Sequence, residues 1–141
     1  MSRIYWDSML FIYWLEDNPR FANRVAAIHA RMQARQDELI TSAFTLGEVL
    51  AGAYRKGAGQ AANEVRGMLL DLISEVLPFT AETAERYARI RGSQGIASPD
   101  AIHLACAANA GVDLFLTNDN DLIEKIVPGI QFIAGLDTPF L

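Results

Sequence analysis

The sequence has one cysteine, Cys106, so no disulfide can form within the chain. That excludes a disulfide-stapled scaffold and fits a reducing, cytoplasmic setting. Positive charge is in deficit: 12 Lys and Arg stand against 17 Asp and Glu, a formal charge of −5. A whole-chain basic footprint for nucleic acid is therefore missing. No uncharged stretch approaches the roughly 18 apolar residues of a membrane span. The opening MSRIYWDSMLFIYWL carries Arg3, Asp7 and Ser8 and no small-residue cleavage site, so it reads as a buried strand and a helix and not as a signal peptide. Internal repeats and low-complexity tracts are also missing.

What remains is a chain of 141 residues, 51% of them apolar. The length suits one domain over residues 1–141. The apolar share argues against disorder and leaves room for an apolar partner surface, with the early aromatics and the C-terminal residues 139–141 as its candidates. Short apolar strands alternate with helices. Strands are predicted over residues 3–7, within 38–44, over 74–79, within 112–119 and over 130–135. Asn18-Pro19 reads as a cap and first-turn proline opening a helix to about residue 36. Further helices are predicted over 8–16 (with Ser8 as cap), 45–56 (capped by Ser42 or Thr45), 60–72, 81–92 (capped by Thr80, stopped by Gly92), 100–111 (Ser98 as cap) and 121–127. The pattern indicates an α/β fold, a mostly parallel sheet of about five strands covered on both faces.

In such folds ligands gather at the carboxyl ends of the strands. Asp7 ends the first strand. Asp119 and Asp121 follow the fourth. Asp100 lies in the first turn of its helix, and Glu48 early in the helix after the second strand. Carboxylates brought together raise one another's proton affinity, and a cation relieves the cost. Mg²⁺ prefers oxygen ligands and keeps several waters; Mn²⁺ is the alternative. Such an ion can hold a phosphate and activate water, without help from His, Cys or Lys. Each acid also has a plainer use: Asp100 favours a helix N-terminus, Glu48 is one helix glutamate among several, and Asp119 and Asp121 suit a loop and a cap.

The segments YWDS, TSAFTLGEVLAG, SPDAIHLACAANAGVD and LFLTNDNDL together resemble the PIN-domain family, most closely its VapC-like toxins. The resemblance spans essentially the whole chain. By motif position it implies Asp7, Glu48, Asp100 and Asp119 as the catalytic and metal-binding acids. Asp121 matches a fifth acid that only some members use, and Ser8 and Thr117 match hydroxyls that orient carboxylates or metal-bound water. It further implies a three-layer α/β/α sandwich, cleavage of single-stranded RNA with Mg²⁺ or Mn²⁺, a homodimer, and inhibition by a small antitoxin protein.

Other residues read more simply. His103, three residues after Asp100, is near the site but suits packing or hydrogen bonding. His29 suits a helix surface and Cys106 a small buried position. Tyr5, Trp6, Phe11, Tyr13 and Trp14 suit a core or a dimer face, with base stacking as their other use. Arg55 and Lys56 complement a helix C-terminus or contact phosphate. Two competing functions are a non-catalytic partner-binding module of the same fold and a receiver-like phosphoacceptor. The full acid set argues against the first. The lack of a lysine after a late strand argues against the second, since Lys125 lies inside a short helix.

Overall fold

The computed structural model describes residues 1–57 and 59–139. Five strands form one parallel sheet: β1 (Arg3–Trp6), β2 (Glu38–Ser42), β3 (Glu75–Leu77), β4 (Leu114–Leu116) and β5 (Phe132–Ala134), in the order β3-β2-β1-β4-β5. Seven helices connect them: α1 (Ser8–Leu15), α2 (Ala22–Arg35), α3 (Ala43–Arg55), α4 (Gly59–Leu72), α5 (Ala81–Gln94), α6 (Ser98–Ala110) and α7 (Asn120–Ile123).

Strand periodicity divides the core in two. Ile4 and Trp6 point to one face, where Leu10, Phe11, Val25, Ile28, Val49 and Leu69 from α1 to α4 cover them. Tyr5 points to the other, among Ile90, Leu104, Ala105 and Phe115, under α5 and α6. The result is the three-layer α/β/α sandwich. Each fully buried large side chain contributes about 1.5–3 kcal/mol relative to exposure. Small residues let α6 sit close: its Ala101, Ala105 and Ala107 are fully buried. The chain beyond α7 comes closer still, and a Cβ on Gly129 (φ +102°) would stand 2.6 Å from the Ala108 carbonyl oxygen.

The helix boundaries correct the sequence reading in several places. Asp7, and not Ser8, caps α1, its side chain accepting from the Met9 amide. The Asn18 side chain accepts from the Arg20 and Phe21 amides, but this forms a turn and α2 begins only at Ala22. Helix α5 runs through Gly92 and ends at Gly95, whose φ of +61° supplies the left-handed cap. Ala97 and not Ser98 occupies the cap of α6, leaving the Ser98 hydroxyl to meet Tyr87 Oη at 2.7 Å. Ser42 caps α3 through Thr45 N, and Thr80 forms a reciprocal box with Thr83. The last predicted helix shrinks to α7, capped by Asp119.

Tyr5, Trp6 and Phe11 are fully buried, so they are core and cannot stack on bases. Tyr13 and Trp14 are half-buried. His29 is half-buried too, its ring 5.0 Å from that of Trp14, a packed position and not a free helix surface. Phe140 and Leu141, part of the expected apolar C-terminus, lie outside the described residues.

Candidate functional site

The chain runs outward from β1 through β2 to β3, then returns to the other side of β1 for β4 and β5. The direction of winding therefore changes between β1 and β4, which opens a crevice at their carboxyl ends. Asp7 follows β1 there, and its amide donates to the Leu116 carbonyl of β4 at 3.3 Å. Thr117 follows β4, wholly buried. Its hydroxyl lowers the proton affinity of the Asp7 carboxyl and accepts from the Asp119 amide at 3.0 Å. One threonine thus ties the two strand ends together.

Asp7 is only 8% exposed. Burial raises its carboxyl above the ordinary aspartate range, against the lowering effect of the Thr117 hydrogen bond, of His103 and of the Met9 and Leu10 amides. Asp100 enters from the first turn of α6. Burial also raises it, and the charges of Asp119 and Asp7 raise it further. Asp7, Asp100 and Asp119 thus form one mutually repelling group. Asp121 stands farther out: it is exposed, and its amide donates to Asp119 Oδ1 at 2.9 Å.

Glu48 reaches the site from α3. Burial raises its proton affinity, but hydrogen bonds from His103 and Ser8 outweigh this and hold it below the usual glutamate range. His103 Nε2 lies 2.7 Å from Glu48 Oε1, and the Ser8 hydroxyl donates to the same oxygen. The other ring nitrogen, Nδ1, lies 2.7 Å from the Tyr5 hydroxyl. His103 thus fills the hydrogen-bonding role that its place on α6 suggested. That its bond falls on Glu48, and that Tyr5 stands behind it, had no signal in the sequence.

Two open clefts meet at Asp100. One, of about 320 Å³, is lined by Asp7, Ser8, Glu48, Arg55, Asp100 and His103. The other, of about 900 Å³, is lined among others by Asp100, Asp119, Asp121, Glu124 and Lys125. Arg55 is thus a neighbour of the acids, whereas Lys56 pairs with Glu16 at 2.8 Å. Cys106 is buried, and burial pushes its thiol up to about 11, a poor nucleophile at neutral pH.

A family model for the PIN domain matches residues 4–126. The chain belongs to the PIN domain family. Solved structures share its fold. VapBC2 from Rickettsia felis, determined with a DNA fragment from its promoter, is 14% identical, with TM-score 0.76 over 94% of this chain and 98% of that one. FitAcB from Neisseria gonorrhoeae is 25% identical, with TM-score 0.65 over 82% and 87%. VapC20 from Mycobacterium tuberculosis, a toxin that cleaves the sarcin–ricin loop, is 19% identical, with TM-score 0.65 over 84% and 91%. No curated protein matches the chain.

The donor set fits a hard divalent cation, being carboxylate oxygens with hydroxyls behind them. Among the described residues no three Asp, Glu, His or Cys side chains close tightly enough to chelate an ion unaided.

Proposed function

We propose that the chain is a metal-dependent endoribonuclease that cuts single-stranded regions of RNA and acts as the toxin of a toxin–antitoxin pair. The observation that carries this reading is the gathering of Asp7, Asp100 and Asp119 at the crevice of the strand crossover, where the charges of Asp119 and Asp7 both bear on Asp100 and a cation would relieve them. Asp7, Glu48, Asp100 and Asp119 would hold Mg²⁺ or Mn²⁺, with Asp121 farther out. Bound there, the ion supplies charge neutralisation to the phosphodiester and lowers the proton affinity of water. Glu48, tied through Oε1 to Ser8 and His103, keeps Oε2 to accept a proton from the attacking water. Thr117 orients Asp7 and the Asp119 backbone. Arg55, in the same cleft, binds a phosphate of the substrate.

The toxin assignment draws support from the shared fold with VapBC2, FitAcB and VapC20. A partner draws support from an apolar groove between α1 and α4 lined by Phe11, Trp14, Leu15, Met68, Leu69 and Leu72. That groove suits an antitoxin segment or a second copy of the chain. Among the described residues no helix is long and apolar enough to cross a membrane.

The test is cleavage of single-stranded RNA by purified protein. Activity is expected in Mg²⁺ or Mn²⁺, its loss in EDTA, and its return with excess metal. Full activity in EDTA refutes the mechanism. RNA or partner binding without cleavage under any metal supports a non-catalytic module instead.

A further inference from the structure

His103 is 4% exposed, yet both of its nitrogens meet polar groups of the site's own wall. Glu48 is ionised and can only accept, so Nε2 carries the hydrogen of the 2.7 Å contact to Oε1. Ser8 Oγ lies 3.2 Å from the same nitrogen. On the far side, Nδ1 meets Tyr5 Oη at 2.7 Å and Thr45 Oγ1 at 3.5 Å. Tyr5 Oη in turn lies 2.8 Å from Ser42 Oγ, which caps α3. The ring plane is fixed by Phe44, with centroids 5.2 Å apart, and by Tyr5 at 5.9 Å in an edge arrangement. A continuous polar path therefore runs from the cap of α3, through β1 and α6, back to the glutamate two turns along α3.

We propose that His103 is a positioning residue for Glu48, with the Tyr5 hydroxyl fixing the ring, so that one carboxylate oxygen is held and the other is presented to the cleft. The inference rests on the nuclease reading above. A histidine buried only for packing would not need its Nε2 on a carboxylate that lines the cleft. Hydrogen bonds behind an ion's ligands set their orientation, and their loss costs about 10–100-fold in metal affinity or activity.

The experiment compares His103→Leu, His103→Gln and Tyr5→Phe with wild type. The measurements are Mn²⁺ affinity by calorimetry, kcat and KM on a single-stranded RNA, and thermal midpoint in EDTA. For His103→Leu we expect Mn²⁺ affinity to fall about tenfold and kcat about 10–100-fold. Its KM should stay within about twofold, because no substrate contact is lost. Glutamine places an amide donor near the position of Nε2 and should recover most of the loss, while Tyr5→Phe should fall between. In the Glu48→Gln background, His103→Leu should add nothing further, since the two act as one unit.

A folded His103→Leu with wild-type Mn²⁺ affinity and kcat overturns the inference. So does a glutamine variant as impaired as leucine, or losses that multiply with Glu48→Gln. If His103→Leu does not fold, His103→Gln and Tyr5→Phe decide the matter by the same measurements: wild-type values in Tyr5→Phe, or no recovery of function with Gln, count against it. Wild-type protein that neither binds Mn²⁺ nor cleaves RNA refutes the nuclease reading itself; an active wild type indifferent to His103 refutes this inference alone.

Discussion

Among single side chains, Asp7 caps α1 by accepting the Met9 amide while lying almost wholly out of water. Burial raises its pKa, so its ionised form is the less favoured one in the fold. The stability this carboxyl lends is complete below the ordinary aspartate value and is lost as pH rises through the elevated one. Asp7→Asn keeps a capping side chain of equal quality and removes the buried charge. In EDTA at about pH 7.5 its thermal midpoint should exceed wild type, the gap closing toward about pH 4. In Mg²⁺ its RNA cleavage should fall by orders of magnitude. A midpoint below wild type at neutral pH contradicts the cost of the buried charge, and cleavage at the wild-type rate contradicts the chemical role. Arg55 makes a separate prediction. One of its guanidinium nitrogens stands 3.8 Å from where a Gly52 Cβ would lie, so the side chain folds back along α3 toward Glu48. Arg55→Ala should weaken binding of a cleavage-resistant oligonucleotide and reduce the salt slope by roughly 0.7–1, as for one lost phosphate contact. An unchanged slope assigns Arg55 to the helix terminus only.

Among elements, α6 carries both Asp100 and His103, so whatever places α6 places half the site. The chain beyond α7 passes close against the last turn of α6 at Gly129. That residue has a φ of +102°, and a Cβ there would stand 2.6 Å from the Ala108 carbonyl oxygen. Gly129→Ala adds backbone strain to a clash with helix backbone and should destabilise by about 2–4 kcal/mol, measured by urea unfolding. A change under about 0.5 kcal/mol, the range of an ordinary surface substitution, would show that the segment moves aside freely. The element pattern was readable because it rests on local chemistry: apolar triplets for strands, Ser42 and Thr80 as caps, Gly111 as a stop. The misplacements arose where two local signals competed. Gly92 and Gly95 both offer a helix end, and only tertiary packing of Ile96 and the Arg91 bond to its carbonyl decides for Gly95. Asp7 and Ser8 both suit a cap, and the pull of Glu48 on the Ser8 hydroxyl leaves the cap to Asp7. The acids were legible because strand ends and helix first turns are punctuated in sequence. The Tyr5–His103–Glu48 contacts join residues 98 and 55 positions apart, a distance no local signal spans.

At the scale of the whole molecule, the proposed metal would be a stabilising ligand of the gathered acids as well as a chemical one. Mn²⁺ at about 100 times its dissociation constant should add about 2.7 kcal/mol of stability, seen as a rise in thermal midpoint that Asp7→Asn and Asp100→Asn reduce or abolish. Equal midpoints with and without metal count against an ion at the crossover. The apolar groove between α1 and α4, with Met68 58% exposed beside it, should place the isolated protein in a dimer at micromolar concentration by light scattering. Met68→Glu should shift the mass toward monomer. A monomeric wild type would leave that groove to a different protein. The strand order has one more consequence, in time. Asp7 and Glu48 come early in the chain and Asp100 and Asp119 late, and central β1 cannot complete its pairing until β4 arrives. Protein synthesis adds about 5–20 residues per second, so roughly ten seconds separate emergence of the first acid from the last. Throughout that interval the growing chain lacks the full set of acids that the proposed nuclease needs, so on that reading it would be harmless to the ribosome and message producing it until β4 and the loop after it have emerged.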